Sequence, residues 1–157
     1  MGTSVHGVID WEPRYHNMRR HSAEHLLTGL FERHGSGPKV YSDLTRLEFQ
    51  PSDLTEETVR LVEAEFNDVV EANISLRIYY ATRNELKDEE DERKRSFLEK
   101  IPRALDRLRM VEIPGHALTF CFGTHVRSTA EIGHLEELIL SKGKKNRRTV
   151  SFTLLPI

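Results

Sequence analysis

Two long segments with a helical repeat, separated by short segments that alternate apolar and polar residues, restrict what this chain can fold into. Residues 52–73, SDLTEETVRLVEAEFNDVVEAN, predict a helix of about 20 residues, with Ser52 or Thr55 as its N-cap. Residues 15–34 predict the other helix, because apolar side chains recur there at three- and four-residue steps until HGSG ends it. The segments between them exclude an all-helical bundle.

Those segments are typical of strands. The predicted strands are 39–49 (a strand or a hairpin), 74–81, 109–116 with a Pro-Gly turn at its end, 134–141 and 149–155. The sequence GKKN between the last two predicts a hairpin turn. Residues 83–109 are charged and predicted mostly helical, with a break at Pro102. Mixed helices and antiparallel strands in 157 residues predict an α+β fold, with one two-layer domain in which a mostly antiparallel sheet packs against helices.

Two short stretches carry pairs of metal ligands. HSAEH places His21 and His25 four residues apart, on one face of the first predicted helix. CFGTH places Cys121, the only cysteine, four residues before His125. Imidazole and thiolate are preferred zinc ligands, so the two stretches together predict one four-ligand zinc site. His116, in the Pro-Gly turn, is expected to be a loop residue or a partner of a ligand.

Glu24 gives the first stretch two further interpretations. Together His21, Glu24 and His25 form H-x-x-E-H, the pattern of inverted zinc peptidases, in which the glutamate is the general base. The same pattern resembles the zinc helix of S-ribosylhomocysteine lyases, which implies a second cysteine that this chain does not have. Neither interpretation explains CFGTH as well as the shared four-ligand site does.

A third resemblance covers about residues 8–156. DWEPRYHNMRRHSAEHLL and VEIPGHALTFCFGTHVRSTAEIG resemble the two zinc segments of the editing domain of alanyl- and threonyl-tRNA synthetases, and of the free-standing AlaX-type editing proteins. The resemblance implies that residues 1–157 form a single tRNA-editing domain of the short class, without the N-terminal glycine-rich domain of larger relatives. Phe122 and Ala130 replace glycines that are common in this family, and Phe122 is expected to reshape the rim of the pocket.

The resemblance implies hydrolysis of mischarged tRNA-Ala, carrying serine or glycine, with one Zn²⁺ held by His21, His25, Cys121 and His125. It also implies that Thr124 lines the pocket and hydrogen-bonds the substrate. Glu24 would act on water or orient a ligand, or would be an ordinary solvated side chain. An alternative in another class is a zinc-stabilised RNA-binding module without hydrolase activity.

RNA contact is expected from basic residues, although the formal net charge is only -2. The expected phosphate contacts are Arg127, Lys142, Lys144, Lys145, Arg147 and Arg148. The alternative for the basic run at 142–148 is a solvated hairpin tip. The acidic run at 85–92 is read as a solvated helix face or loop.

The compartment is inferred from what the sequence lacks. A single cysteine cannot form an internal disulfide, which favours a reducing compartment, and the N-terminus has no basic-then-apolar export signal. No apolar run approaches the roughly 18 residues that a membrane helix needs. The protein is therefore expected to be cytoplasmic, with no membrane among its partners. The resemblance implies mischarged tRNA as its partner.

Overall fold

The computed structural model describes residues 2–40, 44–50, 52–86, 98 and 101–156, and it has the predicted α+β architecture. The helices are α1 (Trp11–Arg33), α2 (Glu56–Glu71) and a 3-10 turn at Thr129–Glu131. The strands are β1 (Lys39–Val40), β2 (Arg46–Phe49), β3 (Arg77–Thr82), β4 (Arg107–Ile113), β5 (Ala117–Phe120), β6 (Leu135–Lys142) and β7 (Arg148–Leu154). Every described strand pair is antiparallel, as expected.

Helix α1 starts at Trp11, four residues before the predicted start at Tyr15. The apolar repeat could not show this first turn, because its residues are exposed. Pro13 is tolerated there, since the first turn of a helix has no intrahelical partners for its N–H groups. Further along, Leu26, Leu27 and the adjoining apolar residues are fully buried and anchor the helix to the core.

Helix α2 begins at Glu56, directly after one of the two predicted N-cap residues. The side chain of Thr55 accepts a hydrogen bond from the backbone N–H of Thr58 at 3.2 Å, so Thr55, and not Ser52, is the N-cap. Glu56 and Glu57 lie in the first turn, where their charge complements the helix dipole. Val62 and Phe66 on the inner face are fully buried.

The strands form two sheets rather than one. The first has the order β1-β2-β7-β6, and the second has the order β3-β4-β5. The hairpin predicted at GKKN joins β6 to β7, and its central residues Lys145 and Asn146 both have φ of 55°. Positive φ at both central positions is the geometry of a type I′ turn, which matches the twist of the two strands.

The segment before β4 differs from its prediction. Residues 101–106 are not helical, and β4 starts at Arg107, so the helical prediction for 101–109 is wrong. The guanidinium of Arg83 donates hydrogen bonds to the carbonyls of Leu98, Ile101, Pro102 and Leu105, at 2.7–3.0 Å. These bonds satisfy carbonyl groups that would otherwise need a helix or a strand. Residues 83–86 form a turn rather than a helix, whereas Leu98 is helical. The remaining residues of the predicted helix, which include 87–92 of the acidic run, lie outside the described residues.

Two hydrophobic clusters hold the fold together. The larger one joins α1 and α2 to the four-stranded sheet, and Phe31, Phe66 and Leu47 are fully buried in it. The smaller one, around Leu108 and Met110, lies on one face of the second sheet. Within the described part of the chain, neither helix is long and apolar enough to cross a membrane.

Candidate metal centre

Helix α1 brings its two histidines to the edge of the second sheet. The helix packs on β5, and Gly29 allows the close approach, because a Cβ there would lie 2.2 Å from the carbonyl oxygen of His116. Two turns earlier, His21 and His25 point to one side, with ring centroids 4.7 Å apart. The i, i+4 spacing therefore gives the shared face that the sequence predicts.

The loop after β5 supplies the other two candidate ligands. The Sγ atom of Cys121 lies 3.3 Å from Nε2 of His21, and the rings of His125 and His21 are stacked with centroids 4.1 Å apart. Gly123 permits this contact, since a Cβ at that position would lie 2.2 Å from Cε1 of His21. One ligand atom from each of His21, His25, Cys121 and His125 lies within 4.8 Å of all the others. The four residues form a cluster that could hold a metal ion, as the sequence predicts.

Hydrogen bonds outside the cluster orient two of the rings. Nδ1 of His21 lies 3.2 Å from the carbonyl oxygen of Thr124, and because a carbonyl only accepts, Nδ1 carries the proton and Nε2 keeps its lone pair for the centre. Nδ1 of His125 lies 3.1 Å from Oγ of Ser22. That same oxygen accepts a hydrogen bond from the backbone N–H of Val126 at 3.2 Å. Fixing the outer nitrogen of a ligating histidine in this way is typical of metal sites.

One ring nitrogen of each of two histidines lacks a partner among the described residues. Nδ1 of His25 and Nε2 of His125 are buried with no hydrogen bond among the described residues. Such atoms are costly unless something pairs with them. Burial lowers the pKa of His21, lowers that of His25 further, and lowers the pKa of His125 to about 3. The three rings are therefore neutral at pH 7 and offer lone pairs, which a bound cation would satisfy.

Cys121 completes a donor set that suits zinc. Burial raises the pKa of its thiol, and the backbone N–H of Gly123, which donates to Sγ at 3.3 Å, opposes that shift. A bound metal would displace the thiol proton, because the thiolate is the ligand form. Three imidazoles and one thiolate are ligands that zinc accepts in tetrahedral sites.

Arg109 and Ser22 are parts of the site that sequence reasoning missed. On β4, Nη1 of Arg109 donates to the carbonyls of Cys121 and Gly123 at 2.6 and 2.8 Å. The guanidinium therefore clamps the loop that carries the thiol ligand. Ser22 lies inside the motif HSAEH and is fully buried. A serine between two candidate ligands was the only sequence signal available for it.

The other predicted residues near the centre differ in exposure. Glu24 is only 5% exposed, so the solvated alternative is wrong for this side chain. Thr124 is exposed and joins the site through its carbonyl. His116 stays outside the cluster, with Nδ1 buried and without a partner among the described residues.

Most of the predicted basic residues lie in the β6–β7 turn, whereas Arg127 is two residues after His125. Helix α1 touches the far end of the β6–β7 hairpin, where Nη2 of Arg19 donates to the carbonyl of Leu155 at 2.7 Å. The basic turn is at the other end of that hairpin, roughly 20 Å away at about 3.3 Å per residue. The basic residues of this turn differ in pairing and exposure. Arg147 forms an ion pair with Glu48 at 3.3 Å, and Arg148 is half-buried. Arg127, Lys142, Lys144 and Lys145 are exposed and form no ion pair with another described residue.

The class that fold and site define is an antiparallel α+β domain in which three histidines and one cysteine, grouped between a helix and a sheet edge, could hold a metal ion. Residues 108–151 match the model of the threonyl and alanyl tRNA synthetase second additional domain. The chain is 31% identical over 160 aligned residues to the alanyl-tRNA editing protein AlaX-M of Methanosarcina mazei, covering 99% of this chain and 63% of that protein.

Synthetases match as well. The chain is 34% identical over 142 residues to the alanine–tRNA ligase of Ignicoccus hospitalis, across 86% of this chain and 15% of the ligase. The alanyl-tRNA editing protein AlaX-L of Pyrococcus horikoshii is 26% identical over 156 residues, across 97% of this chain and 37% of that protein. Over nearly its whole length the chain is similar to AlaX-type alanyl-tRNA editing proteins. It spans a little under two thirds of the length of the AlaX-M relatives that it matches.

Proposed function

We propose that this chain is an editing hydrolase that cleaves the ester of mischarged tRNA-Ala, carrying serine or glycine, at a site containing one Zn²⁺. The observation that carries the proposal is the cluster of His21, His25, Cys121 and His125. In it, one ring nitrogen of His25 and one of His125 are buried without a partner among the described residues. The names of the relatives support the substrate, because they are alanyl-tRNA editing proteins and alanine–tRNA ligases. Residues 1–157 would form a single editing domain.

The residues of the site would have different roles in this reaction. His21, His25, Cys121 and His125 would hold zinc, which supplies positive charge to polarise or position an ester and its amino group. Thr124, exposed beside the centre, would hydrogen-bond the bound amino acid through its hydroxyl. Aminoacyl esters are reactive, so orientation supplies much of the rate.

Glu24 would act on the metal centre as a buried carboxylate rather than as a solvent-exposed one. Its carboxylate is buried on the helix that carries two of the ligands, and its charge acts to raise the pKa of the Cys121 thiol. A negative charge this close would favour a bound cation. We propose that Glu24 orients water or a ligand.

A need for such a reaction follows from the size of the substrates. A pocket built for alanine cannot exclude the smaller glycine by size, and it discriminates poorly against a side chain with one added hydroxyl. A second site that hydrolyses the wrong products restores fidelity. The serine hydroxyl would be the group that Thr124 recognises.

RNA contact would come from exposed cations at two places. Arg127 closely follows the metal loop, and Lys142, Lys144 and Lys145 surround the β6–β7 turn. The separation of the β6–β7 turn from the helix end of the hairpin suits a double-helical stem held by its phosphates while its 3′ end reaches the metal, beside Arg127. Arg147 and Arg148 would add to this surface once RNA competes with Glu48 for Arg147.

Deacylation of defined substrates tests the proposal. The protein is incubated with serine-, glycine- and alanine-charged tRNA-Ala, and release of the amino acid is followed in time. Loss of serine or glycine with alanine retained is expected. If none is released while RNA still binds, the protein is an RNA-binding module; hydrolysis of a peptide instead would support the H-x-x-E-H peptidase interpretation.

Metal analysis tests the ligand set independently of activity. The protein as purified is expected to hold one zinc per chain, and Cys121→Ala and His125→Ala are expected to hold less. Thr124→Val is the matched control, because its carbonyl and fold remain while its hydroxyl is lost. It should keep zinc and lose discrimination between serine and alanine. Unchanged zinc in Cys121→Ala would contradict a shared four-ligand site.

A further inference from the structure

A row of three residues crosses the second sheet and ends at the metal centre. Tyr80 on β3 is paired with Arg109 on β4. The register of Met110 with Phe120 places Arg109 beside Cys121, whose N–H donates to the carbonyl of Arg109 at 3.0 Å. Directly paired residues in an antiparallel sheet project from the same face. Tyr80 therefore shares a face with the thiol ligand, two strand spacings or about 10 Å away.

This face of the sheet is open at Tyr80. The tyrosine is 57% exposed and its neighbour Ile78 is 46% exposed. The opposite face of β3 packs into the smaller hydrophobic cluster, and Ala81 on that face is buried. A large aromatic ring beside a candidate reaction centre, with neither the core nor α1 covering it, is available to a ligand.

Positive charge accompanies the ring. The guanidinium carbon of Arg107 lies 5.3 Å from the centroid of Tyr80, and Arg109 holds the metal loop beside it. The acidic neighbour, Glu85, has its carboxylate bonded to the N–H and hydroxyl of Thr82 at 2.6 and 2.8 Å. An exposed ring with an arginine against it suits a group with a flat π-face and an attached negative charge, which describes a nucleotide.

We infer that Tyr80, supported by Arg107, is a stacking platform for an unpaired base at the 3′ end of the RNA substrate. The inference rests on the proposed function, because the ester at the metal and the terminal base are joined to the same ribose. The separation of about 10 Å between the strand positions of Tyr80 and Cys121 suits a base bound while its ester lies at the centre. Stacking reads no particular base, so this platform supplies binding without sequence preference.

Binding of uncharged RNA tests the platform without measuring hydrolysis. The probes are one hairpin with a four-nucleotide 3′ overhang ending in 2-aminopurine, and the same hairpin with a blunt end. Wild type is expected to bind the overhang more tightly and to quench the fluorophore. Tyr80→Val keeps a strand-forming residue and is expected to weaken overhang binding about tenfold with loss of quenching. Tyr80→Phe keeps the ring and should bind within about twofold of wild type.

Several outcomes would overturn the inference. They are unchanged overhang affinity in Tyr80→Val, an equal loss for the blunt hairpin, or a change of oligomeric state that shows this face to be covered by a second copy. Zinc content and thermal unfolding of Tyr80→Val verify that the variant is folded. Failure of the editing function would appear separately, as wild-type protein that binds the overhang but releases no amino acid. If editing occurs and Tyr80→Val has an unchanged KM for mischarged tRNA, the platform alone is refuted.

Discussion

Replacing Ser22 by alanine is expected to weaken metal binding although Ser22 is not a ligand. Its hydroxyl oxygen lies 3.1 Å from Nδ1 of His125 and accepts from the N–H of Val126 at 3.2 Å. The side chain is fully buried, so no solvent replaces those bonds when the hydroxyl is removed. The His125 ring then loses the contact that fixes its orientation and its tautomer.

The magnitude follows from the two bonds. The substitution leaves Nδ1 of His125 and the N–H of Val126 buried and unpaired, at a cost of roughly 1–3 kcal/mol each. Because the surroundings rearrange in part, we expect the free energy of unfolding of the metal-free protein to fall by about 2–4 kcal/mol. Loss of an outer-shell partner of a ligating histidine lowers metal affinity about 10- to 100-fold. Zinc affinity is measured by competition with a chromophoric chelator, and stability by urea unfolding with the metal removed.

Ser52→Ala is the matched control. Ser52 is also buried, and its hydroxyl accepts one hydrogen bond, from the N–H of Leu54 at 3.0 Å, beside the start of α2. This variant should lose about 1–2 kcal/mol of stability and keep the zinc affinity of wild type. If Ser22→Ala binds zinc as tightly as Ser52→Ala does, Ser22 contributes to the fold alone and the reasoning is refuted.

Three further results are expected. Gly123→Ala should abolish zinc binding, because a Cβ there would lie 2.2 Å from Cε1 of His21; zinc retained at one per chain would contradict this. Burial lowers the pKa of His125 from 6.5 to about 3, so between these values the unfolded chain binds a proton that the folded chain excludes. Metal-free protein should therefore lose stability as pH falls from 6.5 towards 3, and His125 alone contributes about 1.4 kcal/mol per pH unit. Urea unfolding midpoints that do not change with pH would contradict this. The double variant Lys144→Gln, Lys145→Gln should bind RNA more weakly. Its binding constant should also depend less on salt concentration, by the equivalent of one to two phosphate contacts. An unchanged salt dependence would show that RNA does not contact these two lysines.

The parts of the fold that follow from local periodicity could be predicted. Helix α2 and its Thr55 cap, and the β6–β7 hairpin, agree closely with the sequence because each is fixed by residues only a few positions apart. The loop at 101–106 could not be predicted in this way. Its carbonyls are satisfied by Arg83, from about 15 to 22 positions away, and no local pattern encodes such a bond.

The division of the strands into two sheets also depends on long-range contacts. Residues near Leu76 and Thr129 are joined by backbone bonds between segments more than fifty positions apart, for example the N–H of Leu76 to the carbonyl of Arg127 at 2.9 Å. Alternating patterns identify strands but do not say which strands pair, since the period of two is the same for every partner.

The sequence by itself determined the four candidate ligands, because helix geometry brings His21 and His25 to one face and the chemistry of cysteine and histidine selects the second pair. Only the tertiary structure decided how that centre is supported and approached. Ser22, Arg109 and Tyr80 are ordinary residues in sequence, and they acquire their places through contacts across strands or across about one hundred positions of chain. Ligand identity is a local property of residue type and spacing, whereas orientation, burial and access arise only when distant segments pack together.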